Sequence, residues 1–332
     1  MLEQPFAGAA GRAADPWLPL APLMAAHGVT LDPPAFFTAV NRAFHGCGAR
    51  FYDELHRHMR ESLPEQFQYL ASDFLGQYPP PSHRMNALDI GCGTGMSSEM
   101  LLDTRFGAFV RHIDLCDPAQ EMLDVCAARN SLMKVRHRMI CGRIESLPPR
   151  SRYDLILASC VLQFVADLPE FLRQVAMRQP AGAVFLHLHD PNADGAADPE
   201  CARRVEEFAR SGSSLVRRLS RSVRRRDAAA AHVEAVNREL LERNAIASPL
   251  TEAEIAAVVR LRSRQGQGIS IREMQTLMPE YKLVSVRSYA FFGELASALP
   301  ARFRKLERAL IAARAANGTQ VGAIWIKTEG RP

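Results

Sequence analysis

The sequence lacks the cysteine spacing that a metal or disulfide framework needs. Its seven cysteines stand at 47, 92, 116, 126, 141, 160 and 201, and no two form a CxxC pair. An odd number scattered through apolar stretches reads as small core residues, so no metal site is expected. Long hydrophobic runs are missing too. Ala183–Leu188 is strand-sized, far short of the ~20 residues of a bilayer span. Glu3, Pro5 and Asp15 stand where an export signal wants basic and then apolar residues, so a cytoplasmic location is expected. Charge of one sign is scarce: the formal net charge is only +5. The surplus is local, in Arg217, Arg218, Arg221, Arg224, Arg225 and Arg226. Such a cluster reads first as a solvated helix face and second as a contact for phosphate, carboxylate or RNA. No aromatic residue interleaves with it, which argues against single-stranded RNA and makes a nucleic-acid partner unexpected. What remains, at 47% apolar and 23% charged residues, is a globular composition with enough length for a full core.

The chain changes rhythm three times. Residues 1–84 read as an N-terminal helical region, with helical patterns over Pro34–His58, interrupted near Gly46 and Gly48, and over Pro64–Leu75. Residues 85–194 alternate strands (87–90, 110–116, 135–141, 153–159, 183–189) with helices (96–102, 119–130, 168–178). That alternation predicts βαβ crossovers and a parallel sheet covered on both faces. Residues 195–280 read as helical, with Thr251-Glu-Ala-Glu254 spaced as a capping box. Residues 281–332 return two strands, 282–292 and 320–327, around a helix over 295–316. The expected fold is therefore α/β: a Rossmann-like, seven-stranded, mostly parallel sheet, with the helical insertion as a lid.

One octapeptide carries the chemistry. Leu88-Asp-Ile-Gly-Cys-Gly-Thr-Gly95 joins the strand candidate Met85–Ile90 to the helix candidate Met96–Leu102. Strand, glycine turn and helix set a helix N-terminus against a nucleotide-like ligand. A dinucleotide fingerprint wants G-x-G-x-x-G, but its third position here is Met96, and the glycine stands at 95. With Asp89 ahead of it, the G-x-G-x-G run of Gly91, Gly93 and Gly95 resembles motif I of the class I S-adenosylmethionine (SAM)-dependent methyltransferases.

The resemblance extends along residues 85–190 and implies SAM as the cofactor, held by Asp89, Gly91, Cys92, Gly93 and Gly95. Asp117-Pro118, ahead of Glu121-Met-Leu123, resembles the family's acidic ribose position, with Asp114 as its rival. Gly142-Arg-Ile-Glu-Ser-Leu-Pro148 resembles the adenine run but carries Arg143 where the family has aspartate. An arginine cannot accept a bond from the adenine amino group, which leaves the Ile144 N–H. Tyr153–Val165 resembles the strand that ends at the methyl donor. It implies Ser159 beside the methionine part and Gln163 and Phe164 at the acceptor. Arg50-Phe-Tyr-Asp53 resembles an aromatic–acid pair, with Tyr52 closing over the donor.

The catalytic candidates are thus His189, Gln163 and Tyr52. His187 and His189 alternate on one strand and are expected on one face, with His189 near the end where ligands gather and able to serve as a base. The implied reaction is in-line methyl transfer to a small-molecule acceptor, an acidic or carrier-bound one if the arginines meet it, in a monomer or homodimer. The rival readings are an RNA or protein methyltransferase and a non-catalytic scaffold of the same fold.

Overall fold

The computed structural model describes residues 15, 17–129, 134–211, 226–261 and 268–329. Arg217, Arg218, Arg221, Arg224 and Arg225 lie outside them. The strands are β1 (Met85–Ile90), β2 (Val110–Asp117), β3 (Arg136–Cys141), β4 (Leu155–Ser159), β5 (Val184–Pro191), β6 (Tyr281–Tyr289) and β7 (Gln320–Lys327). They form one sheet in the order β3-β2-β1-β4-β5-β7-β6. β1 to β5 run parallel, and β7 runs antiparallel between β5 and β6. The strand order reverses at β1 and β4, so the crevice beyond their C-terminal ends is the switch point where open α/β sheets take ligands.

The strand sequences explain their places. Leu155-Ile-Leu-Ala-Ser159 is buried throughout, as a central parallel strand covered on both faces must be. Arg136-His-Arg-Met-Ile-Cys141 is largely exposed and sits at the edge, where charge discourages further pairing. Neighbouring residues point to opposite faces. Ala87, Leu155, Leu157 and Leu186 join Leu63, Phe67, Leu70 and Phe74 of the helix Arg57–Gln77 on one side. Leu88, Ile156, Ala158 and Phe185 join Leu172 and Val175 of the helix Leu168–Met177 on the other.

A third core lies above the sheet. Phe36, Phe37 and Val40 of the helix Pro33–Gly48 pack against Val236 and Leu240 of the helix Arg226–Glu242. Ile255 and Val258 of the helix Glu252–Arg260 complete it. Each fully buried side chain of this kind contributes roughly 1.5–3 kcal/mol. The N-terminal helix and the inserted helices are therefore one layer, although 177 residues lie between Gly48 and Arg226 in sequence.

Several local expectations change. The helix expected over Pro64–Leu75 spans Arg57–Gln77 with Pro64 inside it. An internal proline costs about 3 kcal/mol, and Leu63, Phe67, Leu70 and Phe74, all buried, offset it. The helix Pro33–Gly48 runs through Gly46 and gives way to a 3₁₀ turn only at Ala49–Phe51. The late helix is shorter than expected, Ala301–Ala312, because it can start only after Pro300. The Thr251 box forms, with Thr251 and Glu254 bonded reciprocally.

Candidate active site

The loop after β1 turns back on itself at three glycines, all with positive φ: Gly91 at 65°, Gly93 at 53° and Gly95 at 80°. Gly91 is required by space as well as by its φ, and Gly93 by its φ alone. A Cβ on Gly91 would stand 2.5 Å from Val161 Cγ2. A Cβ on Gly93 would meet nothing closer than Met122 Sδ at 4.0 Å, so it would project into open space beside the loop. Gly91 and Gly93 line a cavity of about 400 Å³, and Gly95 stands at the N-terminus of the helix Met96–Leu102.

Asp117 ends β2 and lines the same cavity. Its Oδ2 accepts from Gly93 N at 2.9 Å and its Oδ1 from Ala119 N at 2.9 Å. One carboxylate thus ties the glycine loop to the turn after β2, and each oxygen keeps a lone pair for a ligand. Burial pushes its pKa up, while the two N–H donors pull it down. Asp114, its rival, serves the structure: it is buried and accepts from Tyr153 Oη at 2.7 Å and from Arg138.

Of the residues expected at the site, the cavity brings together Tyr52, Gly91, Gly93, Asp117, Pro118, Arg143, Ile144 and Ser159. The others stand behind it. Asp89 is fully buried, takes a 2.6 Å bond from Ser98 Oγ, and has its pKa pushed up to about 7 by burial. Cys92 is buried, and its thiol pKa is raised by the neighbouring Cys126 thiol and by burial. Gln163 turns back, donating to Cys160 Sγ at 2.9 Å, while Phe164 beside it faces the cavity.

The two β5 histidines do not share a face. The register shifts between His187 and Asp190, and His189 adopts φ 61°, a bulge that turns the backbone over. His187 is buried with its ring against Phe185. His189 instead lies on Tyr289, in the core on the opposite side of the sheet, and is not among the cavity residues. His187 Nδ1 is 2.9 Å from Asp190 Oδ2, and Asp190 Oδ1 accepts from Leu162 N. The buried pair thereby anchors the turn that carries Phe164.

The far wall of the cavity was not foreseen. It is a polar stripe on the helix Pro33–Gly48: Thr38, Asn41, Arg42 and His45. These positions recur at helical spacing, which was the available sign, but an unpartnered helix with that stripe reads as a solvent face. Burial lowers the His45 pKa to about 4, helped by His56 and His232, so the ring is neutral at physiological pH. Arg42 is already paired with Glu239. The charged lining is Arg42 and Arg143 against Asp117, Glu145 and Asp167.

A clasp joins the Tyr52 segment to the loop. Arg129 donates to Thr94 O at 2.5 Å, to Glu99 at 2.6 Å and to Asp53, the residue after Tyr52. Thr94 Oγ1 in turn donates to Asp53 at 2.6 Å. Among the described residues no helix is long and apolar enough to cross a membrane, and no cluster is arranged to hold a metal ion.

A family described as "Methyltransferase domain" matches residues 87–178. A ubiquinone biosynthesis O-methyltransferase of Rhodopseudomonas palustris is 34% identical over 31% of this chain, which spans 39% of that relative's length. A malonyl-[acyl-carrier protein] O-methyltransferase of Halorhodospira halophila is 31% identical over 46% of this chain and 48% of its own. The chain thus spans less than half the length of these curated relatives. A solved plantazolicin methyltransferase in complex with SAH covers 88% of this chain and 97% of its own, at 13% identity and a TM-score of 0.47. Residues 87–178 therefore match a methyltransferase domain, and the glycine loop and strands β2 and β4 lie within that match.

Proposed function

We propose that this chain transfers a methyl group from SAM to a small-molecule acceptor enclosed beneath its helical layer. The observation that carries the reading is one cavity with two dissimilar walls. Gly91, Gly93, Asp117 and Ser159 form the first, and Asn41, Arg42, His45 and Phe164 form the second.

The residues suit the donor. Asp117 keeps an acceptor lone pair on each oxygen for the two ribose hydroxyls. Gly93 leaves open space where a nucleoside can lie against the backbone. The adenine would meet Ile144, with Arg143, whose side chain is largely exposed, at the rim. Ser159 Oγ is buried without a partner, as a group awaiting a ligand is. The acidic excess of the lining favours a cationic ligand. When bound, SAM supplies an electrophilic methyl group on a positive sulfur. The protein's own work is to hold donor and acceptor in line and exclude water. Tyr52, half-buried and kept neutral because burial raises its pKa, closes the donor side.

About 400 Å³ is the size of a small-ligand pocket, which favours a small acceptor over RNA or a folded protein. Arg42 is engaged by Glu239, so a neutral acceptor suits the cavity better than an acidic one. Calorimetric titration of the full chain with SAM tests the reading. We expect one site, weakened at least tenfold by Asp117→Asn. Absence of binding to protein shown to be folded by circular dichroism would overturn it.

A further inference from the structure

Two polar atoms in the second wall have no partner. Asn41 Nδ2 donates to Phe37 O at 2.9 Å, which fixes the amide, since a carbonyl can only accept. Asn41 Oδ1 is therefore left over, buried and unbonded. One turn along the same helix, His45 Nε2 is likewise buried and unbonded. Both residues line the cavity. Leaving such atoms unsatisfied costs roughly 1–3 kcal/mol each, and a ligand would relieve it.

The position of His45 is specific. Its ring centroid is 5.3 Å from that of Phe164 and 6.3 Å from that of Tyr52. It stands between the ring proposed to close the donor side and the ring that borders the acceptor. Beside this polar stripe the cavity is lined by Phe164, Val165 and Phe171, with Phe164 against His45. Asn41 Oδ1 is an acceptor, and His45 Nε2 is a second one in the Nδ1–H tautomer, so the cavity fits a flat ligand that brings donors.

We infer that the methyl acceptor is an aromatic compound bearing hydroxyl groups, that His45 Nε2 takes the proton of the hydroxyl being methylated, and that Asn41 Oδ1 accepts from a second hydroxyl. This rests on the methyltransferase reading above. In the step, the acceptor oxygen forms its bond to the methyl carbon. The sulfur–methyl bond breaks and its electron pair stays on sulfur, giving a neutral thioether. The hydroxyl proton passes to His45 Nε2 and leaves to water on product release. A neutral ring is needed for this, and His45 is neutral because it is buried.

The test uses the full chain loaded with S-adenosylhomocysteine, whose binding is measured first and separately. Catechol and 1,2-dimethoxybenzene are then titrated in turn, followed by protein NMR. The two probes share a ring and differ in their donors. We expect catechol to bind at least tenfold more tightly. We expect that preference to shrink to threefold or less in His45→Phe and in Asn41→Leu, with S-adenosylhomocysteine affinity unchanged within twofold. Equal affinity for the two probes, or binding of neither by loaded wild-type protein, overturns the inference while leaving the donor site standing. Loss of S-adenosylhomocysteine affinity in folded His45→Phe also overturns it, by assigning His45 to the donor. Failure of wild-type protein to bind S-adenosylhomocysteine removes the underlying reading and the inference with it. The wild-type comparison of probes decides the matter even where a variant fails to fold.

Discussion

Removing Arg129 should loosen the donor loop from a distance. The guanidinium is only 11% exposed and joins three elements: Thr94 of the glycine loop, Glu99 of the helix after it, and Asp53 beside Tyr52. Its two acidic partners are 28–29% exposed, so water replaces part of what Arg129→Ala removes. Bonds to charged groups contribute roughly 1.5–3 kcal/mol each when intact. With that partial rescue the net loss should be about 2 kcal/mol. At about 2.1 cal/mol/K of unfolding entropy per residue, a chain of 332 residues should then melt about 3 °C lower. The functional effect is separate. With Asp53 released, the Tyr52 segment and the Thr94 turn lose their common anchor, and SAM affinity should weaken about tenfold, or 1.4 kcal/mol. Differential scanning fluorimetry and calorimetric titration read the two effects independently. Asp53→Ala should lower affinity similarly, and the double variant should fall well short of additivity, since both changes cut one contact. A lower melting temperature with unchanged SAM affinity would show that the clasp holds only the fold. Additive losses in the cycle would show that Arg129 and Asp53 do not act through each other.

Three further outcomes follow from the geometry. Asp117→Ala strips partners from Gly93 N and Ala119 N and should destabilise by about 2–4 kcal/mol, read as a shift in urea midpoint with an unchanged slope; no shift would mean that the loop finds other partners. Cys160 holds φ 60° next to Ser159. Left-handed strain at a non-glycine residue costs about 1–3 kcal/mol, so Cys160→Gly should stabilise the fold by about 1 kcal/mol net of the lost Gln163 contact, read as a higher urea midpoint at unchanged slope. Asp89 has a folded pKa raised to about 7 by burial, above its unfolded value. It therefore favours the folded state at low pH, and that contribution disappears as pH rises from about 4 through about 7. In Asp89→Asn the fall in stability across that window should be shallower than in wild type, checked by denaturant titrations at several pH values.

The legible part of the molecule is the part whose function is written in local backbone geometry. Three glycines at alternate positions demand a turn that other residues cannot make, and Asp117 stands where a strand must end; both could be read without knowing any distant contact. The strands were equally plain, because a parallel strand buried on two faces leaves an unbroken apolar run such as Leu155–Ala158. His189 misled because alternation assumes a regular strand, and the bulge before Asp190 inverts the face. The second wall was hidden for a different reason. Thr38, Asn41, Arg42 and His45 make the polar side of an amphipathic helix whose apolar side, Phe36, Phe37 and Val40, is the stronger pattern. A polar stripe looks the same whether it faces water or a cavity. What distinguishes the two cases is whether its polar atoms are satisfied, and that depends on Val236, Leu240 and Ile255 closing the layer from the far end of the chain. The donor side of such an enzyme is therefore fixed by short-range constraints. On the proposed reading the acceptor side depends on which helices dock over it, and the unbonded Oδ1 of Asn41 and Nε2 of His45 are where that dependence would become chemistry.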